Sequence, residues 1–195
     1  MSGLESLSDE ELLQAALEGS DAHFNALVDR YAASIYRLAY GITGRREDAE
    51  DIVQETFLRV YGHLDQYASP RGSVKTWLFT IARNQSINVF SSIKRSMARF
   101  WSEQSSDQER GDPLEAHPSS PHTDAERQLS VQQELETVQR ALAKLPQRQR
   151  TALLLKAQED LSYEEIAQVM GTSVSSVESL IFRARQRIME TLGDD

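Results

Sequence analysis

Leu161-Ser162-Tyr163-Glu164-Glu165-Ile166-Ala167-Gln168-Val169-Met170-Gly171-Thr172-Ser173 is the stretch on which the fold turns. Ser162 and Glu165 stand three apart ahead of an apolar run. That is the spacing of a capping box, in which each side chain satisfies a free amide at the start of a helix. Ile166, Ala167 and Met170 then recur at helical spacing and face one way. Gly171 supplies the positive φ of a tight turn. A longer helix is expected from near Val174 to about Leu192.

A short capped helix, a glycine turn and a longer helix make the helix-turn-helix arrangement. The second helix presents Ser175, Ser176, Ser179, Phe182, Arg183 and Arg187, with Arg185 nearby. Small hydroxyls can approach phosphates and base edges, and Arg183 offers a bidentate fork suited to guanine. Ile181, Ala184 and Ile188 fall on other faces and pack inward. A helical hairpin with a solvated arginine face has the same pattern, so duplex reading and plain packing both stay open at this point.

Upstream, Leu135, Val138, Leu142 and Leu145 form a helical stripe ended by Pro146. Gln147 to Ala157 follows, with Ala152, Leu153 and Leu155 as its apolar members. Ahead of both lies a segment of different character, Arg99 to about Asp124, with Gly111, Pro113, Pro118, Pro121 and many serines. Residues 103–126 hold seven acids and one base, two-thirds of the net charge of −9 carried by all 195 residues. Such a stretch buries too little to offset its ordering entropy and reads as a flexible acidic linker.

The first half is helical too. Ser8 and Glu11 form another capping box before Leu12, Leu13, Ala16 and Leu17, and Gly19 stops that helix. Asp21 is the candidate cap of a stripe through Phe24, Leu27, Val28, Tyr31, Ile35 and Leu38, with Gly41 and Gly44 expected to close it. A third stripe runs Ala49, Ile52, Val53, Thr56, Phe57, Val60. After Ser69-Pro70-Arg71-Gly72 a fourth starts near Val74 and carries Trp77, Leu78, Ile81 and Ala82. No segment alternates with period two. The fold class is all-α: two small helical domains, 1–98 and 127–195, joined by the linker 99–126, the second domain ending in the helix-turn-helix.

The third helix begins with acids, which complement its dipole. Asp51 and Glu55 lie beyond that need and repeat on one face, which suits a basic protein partner. The fourth helix mixes aromatics, bases and amides around Trp77, Arg83 and Asn84. Aromatics stack on single-stranded bases and amides read exposed edges, although Trp77 fits a core equally well.

Asp48-Ala49-Glu50-Asp51-Ile52-Val53-Gln54-Glu55-Thr56-Phe57, followed by Trp77-Leu78-Phe79-Thr80-Ile81-Ala82-Arg83-Asn84, resembles the second conserved region of bacterial sigma factors. Leu145-Pro146 and Leu161 to Ala167 through Ile181-Phe182-Arg183-Ala184-Arg185 resemble the fourth. Two regions in that order, separated only by a linker, resemble the layout of the extracytoplasmic-function (ECF) subfamily. The resemblance implies that Asp48, Asp51, Gln54, Glu55 and Phe57 dock on the clamp of the largest polymerase subunit. It implies that Arg71, Lys75, Trp77, Arg83, Asn84 and Asn88, with the loop from Tyr67 to Val74, hold melted −10 DNA. It places −35 reading on Ser175, Ser176, Glu178, Ser179, Phe182 and Arg183, and it implies contact with the polymerase flap as well as the clamp. The acidic linker would thread toward the active-site channel, or serve only as a solubilising spacer. Members often carry arginine where this chain has Glu178 and Leu180, so the −35 preference is expected to differ; Glu178 can accept from a cytosine amino group. Leu78 stands where housekeeping relatives have a second tryptophan, which implies less wedging power.

The implied partners are core RNA polymerase, promoter DNA and an anti-sigma factor, with the chain a monomer. A sigma-like decoy for an anti-sigma factor and a helix-turn-helix regulator with a helical sensor domain are the competing readings. Retained Trp77, Arg83, Asn84 and Arg183 weigh against the decoy. The Asp48–Phe57 motif weighs against the regulator. Thiolate chemistry and disulfides are excluded by the lack of cysteine. His23, His63, His117 and His122 have no ligand spacing, and no phosphate-loop or nucleophile-elbow pattern occurs. No metal, no cofactor and no enzymatic activity are expected. No apolar run approaches the ~18 residues of a membrane helix. The first twenty residues carry five acids and no base, the wrong sign for a secretory leader, so a cytoplasmic protein is expected.

Overall fold

The computed structural model describes residues 3–67, 72–104, 137–159 and 161–193. Its elements are α1 (Asp9–Leu17), α2 (Asp21–Thr43), α3 (Arg46–Gly62), a 3₁₀ turn (Leu64–Gln66) and α4 (Val74–Gln104). After the gap come α5 (137–143), α6 (Gln147–Glu159), α7 (Tyr163–Met170) and α8 (Val174–Gly193). Among the described residues there is no strand.

Both capping boxes form: Ser8 with Glu11 starts α1, and Ser162 with Glu165 starts α7. Gly171 ends α7 with φ 59°, as its place in the turn requires. Asp21 is not a cap but the first residue of α2; the cap position is Ser20, whose hydroxyl bonds His23 Nδ1 at 2.7 Å instead of a helix amide. Asp9 ties α1 to α2, accepting from Arg30 and from the Tyr31 hydroxyl. Burial and that neighbouring carboxylate push the Tyr31 phenol well above its ordinary range.

Gly41 does not close α2. The helix runs through it to Thr43, and Gly44 ends it with φ 73°. Gly41 is there for close approach: a Cβ built on it would lie 2.6 Å from Leu154 Cδ1 of α6. Similarly, α4 does not stop at residue 98 but continues to Gln104, into the segment read as linker. Leu135 and the acidic stretch from residue 105 to 136 lie outside the described residues.

The two helical units, expected to be joined only through the linker, pack against each other. One apolar core runs from Leu27, Ile35, Leu38, Ile42 and Phe79 of the first unit into Leu154, Leu155, Leu161, Ile166 and Ile181 of the second. Arg150 of α6 is buried in this seam. Its guanidinium donates to Ile42 O at 3.0 Å and Ala143 O at 2.6 Å, and lies 5.6 Å from the centre of the Phe90 ring. These carbonyls close the ends of α2 and α5, where helix C-termini carry partial negative charge. Burial lowers the Arg150 pKa from its ordinary value. At the rim, Arg37 pairs with Glu159 at 2.9 Å, and Lys75 Nζ donates to the Glu159 carbonyl at 2.8 Å.

Candidate nucleic-acid interface

The first half of α4 crosses the end of α3, and between them opens a pocket of about 230 Å³. Trp77, Asn84 and Asn88 line it, one α4 face at helical spacing. Ile81 and Gln85 lie on the same side, while Arg59 comes from α3, His63 from the cap that ends it and Gln66 from the 3₁₀ turn. Trp77 is half-buried, its ring 5.5 Å from that of Tyr67, so it belongs to the core and to the pocket wall at once. An aromatic wall, a cation and several amides can stack a planar base and bond its edge.

The other residues expected beside them are placed differently. Lys75 is spent on the Glu159 carbonyl. Arg83 is half-buried: its guanidinium reaches the neighbouring Asn84 Oδ1 at 3.0 Å, and its Nε is buried without a partner. Burial, and then the nearby charge of Arg148, lower its pKa. Arg71 lies outside the described residues. Arg59, His63, Gln66 and Gln85 were not singled out from sequence. They come from three separate elements, and only the crossing of α3 over α4 brings them together.

On α3, Asp51, Gln54 and Glu55 are exposed and Asp48 is half-buried beside Arg45. Phe57 is a correction. It is 6% exposed and packs edge-on against Phe24 of α2, ring centres 6.3 Å apart, so it cannot meet a partner. Its neighbour Leu58 is 69% exposed and takes its place as the apolar member of the outer face. A step of one residue turns a helical side chain by about 100°, which separates the two.

On α8, Ser175, Glu178, Ser179, Phe182 and Arg183 are exposed and Ser176 is half-buried. Ser173 Oγ accepts from the Ser176 amide at 3.3 Å, and Arg183 Nε donates to Ser179 O at 3.1 Å. Val177, Leu180, Ile181 and Ala184 hold the opposite face in the core. Leu180 therefore does not stand on the outer face. The same holds for Leu78, fully buried in the first unit: it packs the core.

Among the described residues no His, Asp and Glu cluster could hold a metal ion, and no helix is long and apolar enough to cross a membrane.

Residues 27–96 match the family model for Sigma-70 region 2, and residues 135–188 match that for Sigma-70, region 4. The chain is 31% identical over 187 residues to the ECF RNA polymerase sigma-E factor of Haemophilus influenzae, covering 94% of this chain and 95% of that one. It is 33% identical over 180 residues to the ECF RNA polymerase sigma factor SigE of Mycolicibacterium smegmatis, covering 92% of this chain and 63% of the longer relative. The fold superposes on CnrH in complex with the cytosolic domain of CnrY with a TM-score of 0.71 at 27% identity, over 96% of this chain and 98% of that one. It also superposes on the sigma factor RpoE in complex with the anti-sigma factor NepR from Bartonella quintana, with a TM-score of 0.63 at 26% identity over 88% and 98%. A chain that is all-helical among its described residues and carries these two regions in this order is a sigma-70-type protein. It belongs to the ECF RNA polymerase sigma factors.

Proposed function

We propose that this ECF sigma factor docks on core RNA polymerase through the outer face of α3, holds a melted −10 base against α4 and reads the −35 duplex with α8. The docking face is Asp48, Asp51, Gln54 and Glu55 with Leu58 added. The −10 site is Trp77, Asn84 and Asn88, with Arg83 beside Asn84; Lys75, held by the Glu159 carbonyl in this arrangement, and Arg71, outside the described residues, are assigned to it by the sigma-factor resemblance alone. The −35 reader is Ser175, Ser176, Glu178, Ser179, Phe182 and Arg183. The observation that carries this reading is the pocket: its aromatic wall, Trp77, and two of its amides, Asn84 and Asn88, are residues that the sigma-factor resemblance marks.

The first domain, placed at 1–98 from sequence, runs on with α4 to Gln104, the second is 127–195 beyond the acidic segment, and the protein acts without catalysing a reaction, in the cytoplasm where its polymerase is. An anti-sigma factor holds it in the closed arrangement. The support is the whole-chain similarity to RpoE, solved with NepR. The decisive experiment adds the purified chain to core polymerase and a promoter library. Defined start sites that need both −35 and −10 sequences are expected. No starts despite core binding would favour the decoy, and no core binding would favour a regulator.

A further inference from the structure

Two arginines from different units come together at the seam. Arg83 belongs to α4 of the first unit and Arg148 to the first turn of α6 in the second. Thr76, Thr80 and Arg83 follow one face of α4 at helical spacing. At the start of that face α7 lies against it, so close that a Cβ on Gly72 would stand 2.8 Å from Gln168 Oε1. Arg148 reaches the corner between α7 and α8, its Nη2 donating to Thr172 Oγ1 at 3.4 Å. Burial and, after it, the charge of Arg148 both disfavour the charged form of Arg83, so the two cations are near enough to repel. Among the described residues neither is in an ion pair.

The groups gathered here lack an acceptor. Arg83 uses Nη1 on Asn84 Oδ1 at 3.0 Å, while its Nε is buried without a partner, a state that costs stability. Nε and Nη2 form the side edge of a guanidinium, on which an oxyanion is held by two parallel bonds. Arg148 is exposed and stands where the amides of α6 are partly positive, with no acid in that first turn. Gln147 beside it also keeps a buried amide nitrogen with no acceptor. A carboxylate would answer one of the two charges. A phosphate near its dianionic form answers both.

We propose that the seam binds a phosphate group, as the inorganic ion or a phosphomonoester, between Arg83 and Arg148. Bound there, it bridges α4 to α6 and turns the repulsion of the two arginines into a tie between the units. Because the arginines belong to different units, the site is whole only while the units are packed. Parting the seam divides it, so the ligand favours the closed form over any open one. The site does not depend on the docking, −10 or −35 assignments.

The test follows the Nε–H signal of Arg83 in the full chain labelled with ¹⁵N-arginine, as inorganic phosphate replaces chloride at constant ionic strength. Burial shields this proton from exchange, and Arg83→Gln identifies the signal by its loss. The signal should shift and saturate, half-way at about 1 mM, the range that a few charge-assisted bonds supply. Arg148→Gln leaves Arg83 in place and should weaken binding about tenfold. Arg140→Gln removes the same charge from an exposed position on α5 and should bind as wild type does. Adenosine monophosphate separates the sources: tighter binding than inorganic phosphate assigns a nucleotide, equal binding assigns the phosphate group alone, and both sustain the site. Acetate should leave the signal where it is. A response to acetate equal to that of phosphate would hand the site to a carboxylate and overturn the proposal. So would a shift that does not saturate, one that is unchanged in Arg148→Gln, or one that weakens as much in Arg140→Gln.

Discussion

Leu154 of α6 fills the notch that Gly41 leaves in α2, so close that a methyl at position 41 would meet its Cδ1 at 2.6 Å. The contacting atoms are the far end of a flexible side chain. Gly41→Ala gains about 1 kcal/mol of helix propensity and asks only that Leu154 rotate, so it should be close to neutral. Gly41→Leu cannot be absorbed that way and should part the two units while each stays helical. Small-angle scattering would register the opening as a larger radius of gyration, with an unchanged circular dichroism spectrum. An unchanged radius would mean that the seam does not depend on this notch.

Arg150 is the polar centre of the same seam. Replacing it by Met keeps most of the volume but strips the donors from the Ile42 and Ala143 carbonyls. Leaving buried acceptors open costs roughly 1–3 kcal/mol each. Relief of a desolvated charge offsets part of that, so a net loss of about 2 kcal/mol is expected in urea unfolding. A variant as stable as wild type would show that these bonds add little to stability.

Phe57 and Leu58 should separate stability from docking. Phe57→Ala empties a site in the core and should cost about 3–5 kcal/mol. Leu58→Ala alters a surface position and should stay within about 0.5 kcal/mol in stability, yet weaken binding to core polymerase in a titration. Loss of docking in the first variant alone, with the second normal, would take Leu58 off the interface.

On a promoter with a premelted −10 region, Asn84→Ala should remain defective, since the base still needs holding. Arg183→Ala should lose about 1–3 kcal/mol of −35 recognition and become equal to wild type once the −35 element is deleted. An Arg183→Ala defect that persists on that template would place Arg183 elsewhere than on the duplex.

Glu11 gives a pH signature. The Ser8 amide donates to its carboxylate at 2.7 Å and holds its pKa below the ordinary value. A depressed acid contributes stability above its unfolded pKa and loses it as pH falls through the folded one. The stability difference between wild type and Glu11→Gln should therefore be present at neutral pH and shrink on acidification below the ordinary carboxylate range. A difference that is flat with pH would mean that the carboxylate charge does not act at this cap.

What sequence could reveal follows from how local the physics is. Ser8 with Glu11, Ser162 with Glu165, and Gly171 each work within one turn, and all three were legible. Gly41 was read as a stop because its reason for being small lies on another helix. Leu154 sits in an unbroken apolar run, Ala152 to Leu155, where periodicity cannot say which side faces in. Arg150 looks like any solvated arginine until the carbonyls of α2 and α5 close over it. The pocket was half legible: Trp77, Asn84 and Asn88 share one helix face, whereas Arg59 and Gln66 enter through tertiary crossing alone.

The Lys75 contact has a consequence for how the closed arrangement is inherited. Its acceptor is the peptide oxygen of Glu159, not the carboxylate, and Arg150 likewise grips main-chain oxygens. Every residue except a helix breaker offers the same oxygen at those places. Drift at positions 42, 143 or 159 thus leaves these bonds intact, and only loss of the cation removes them. Arg37, which needs the Glu159 side chain itself, is the contact that a single substitution on the far side can delete. Closure can therefore persist while surface sequences diverge, with its strength trimmed at the rim and its centre kept.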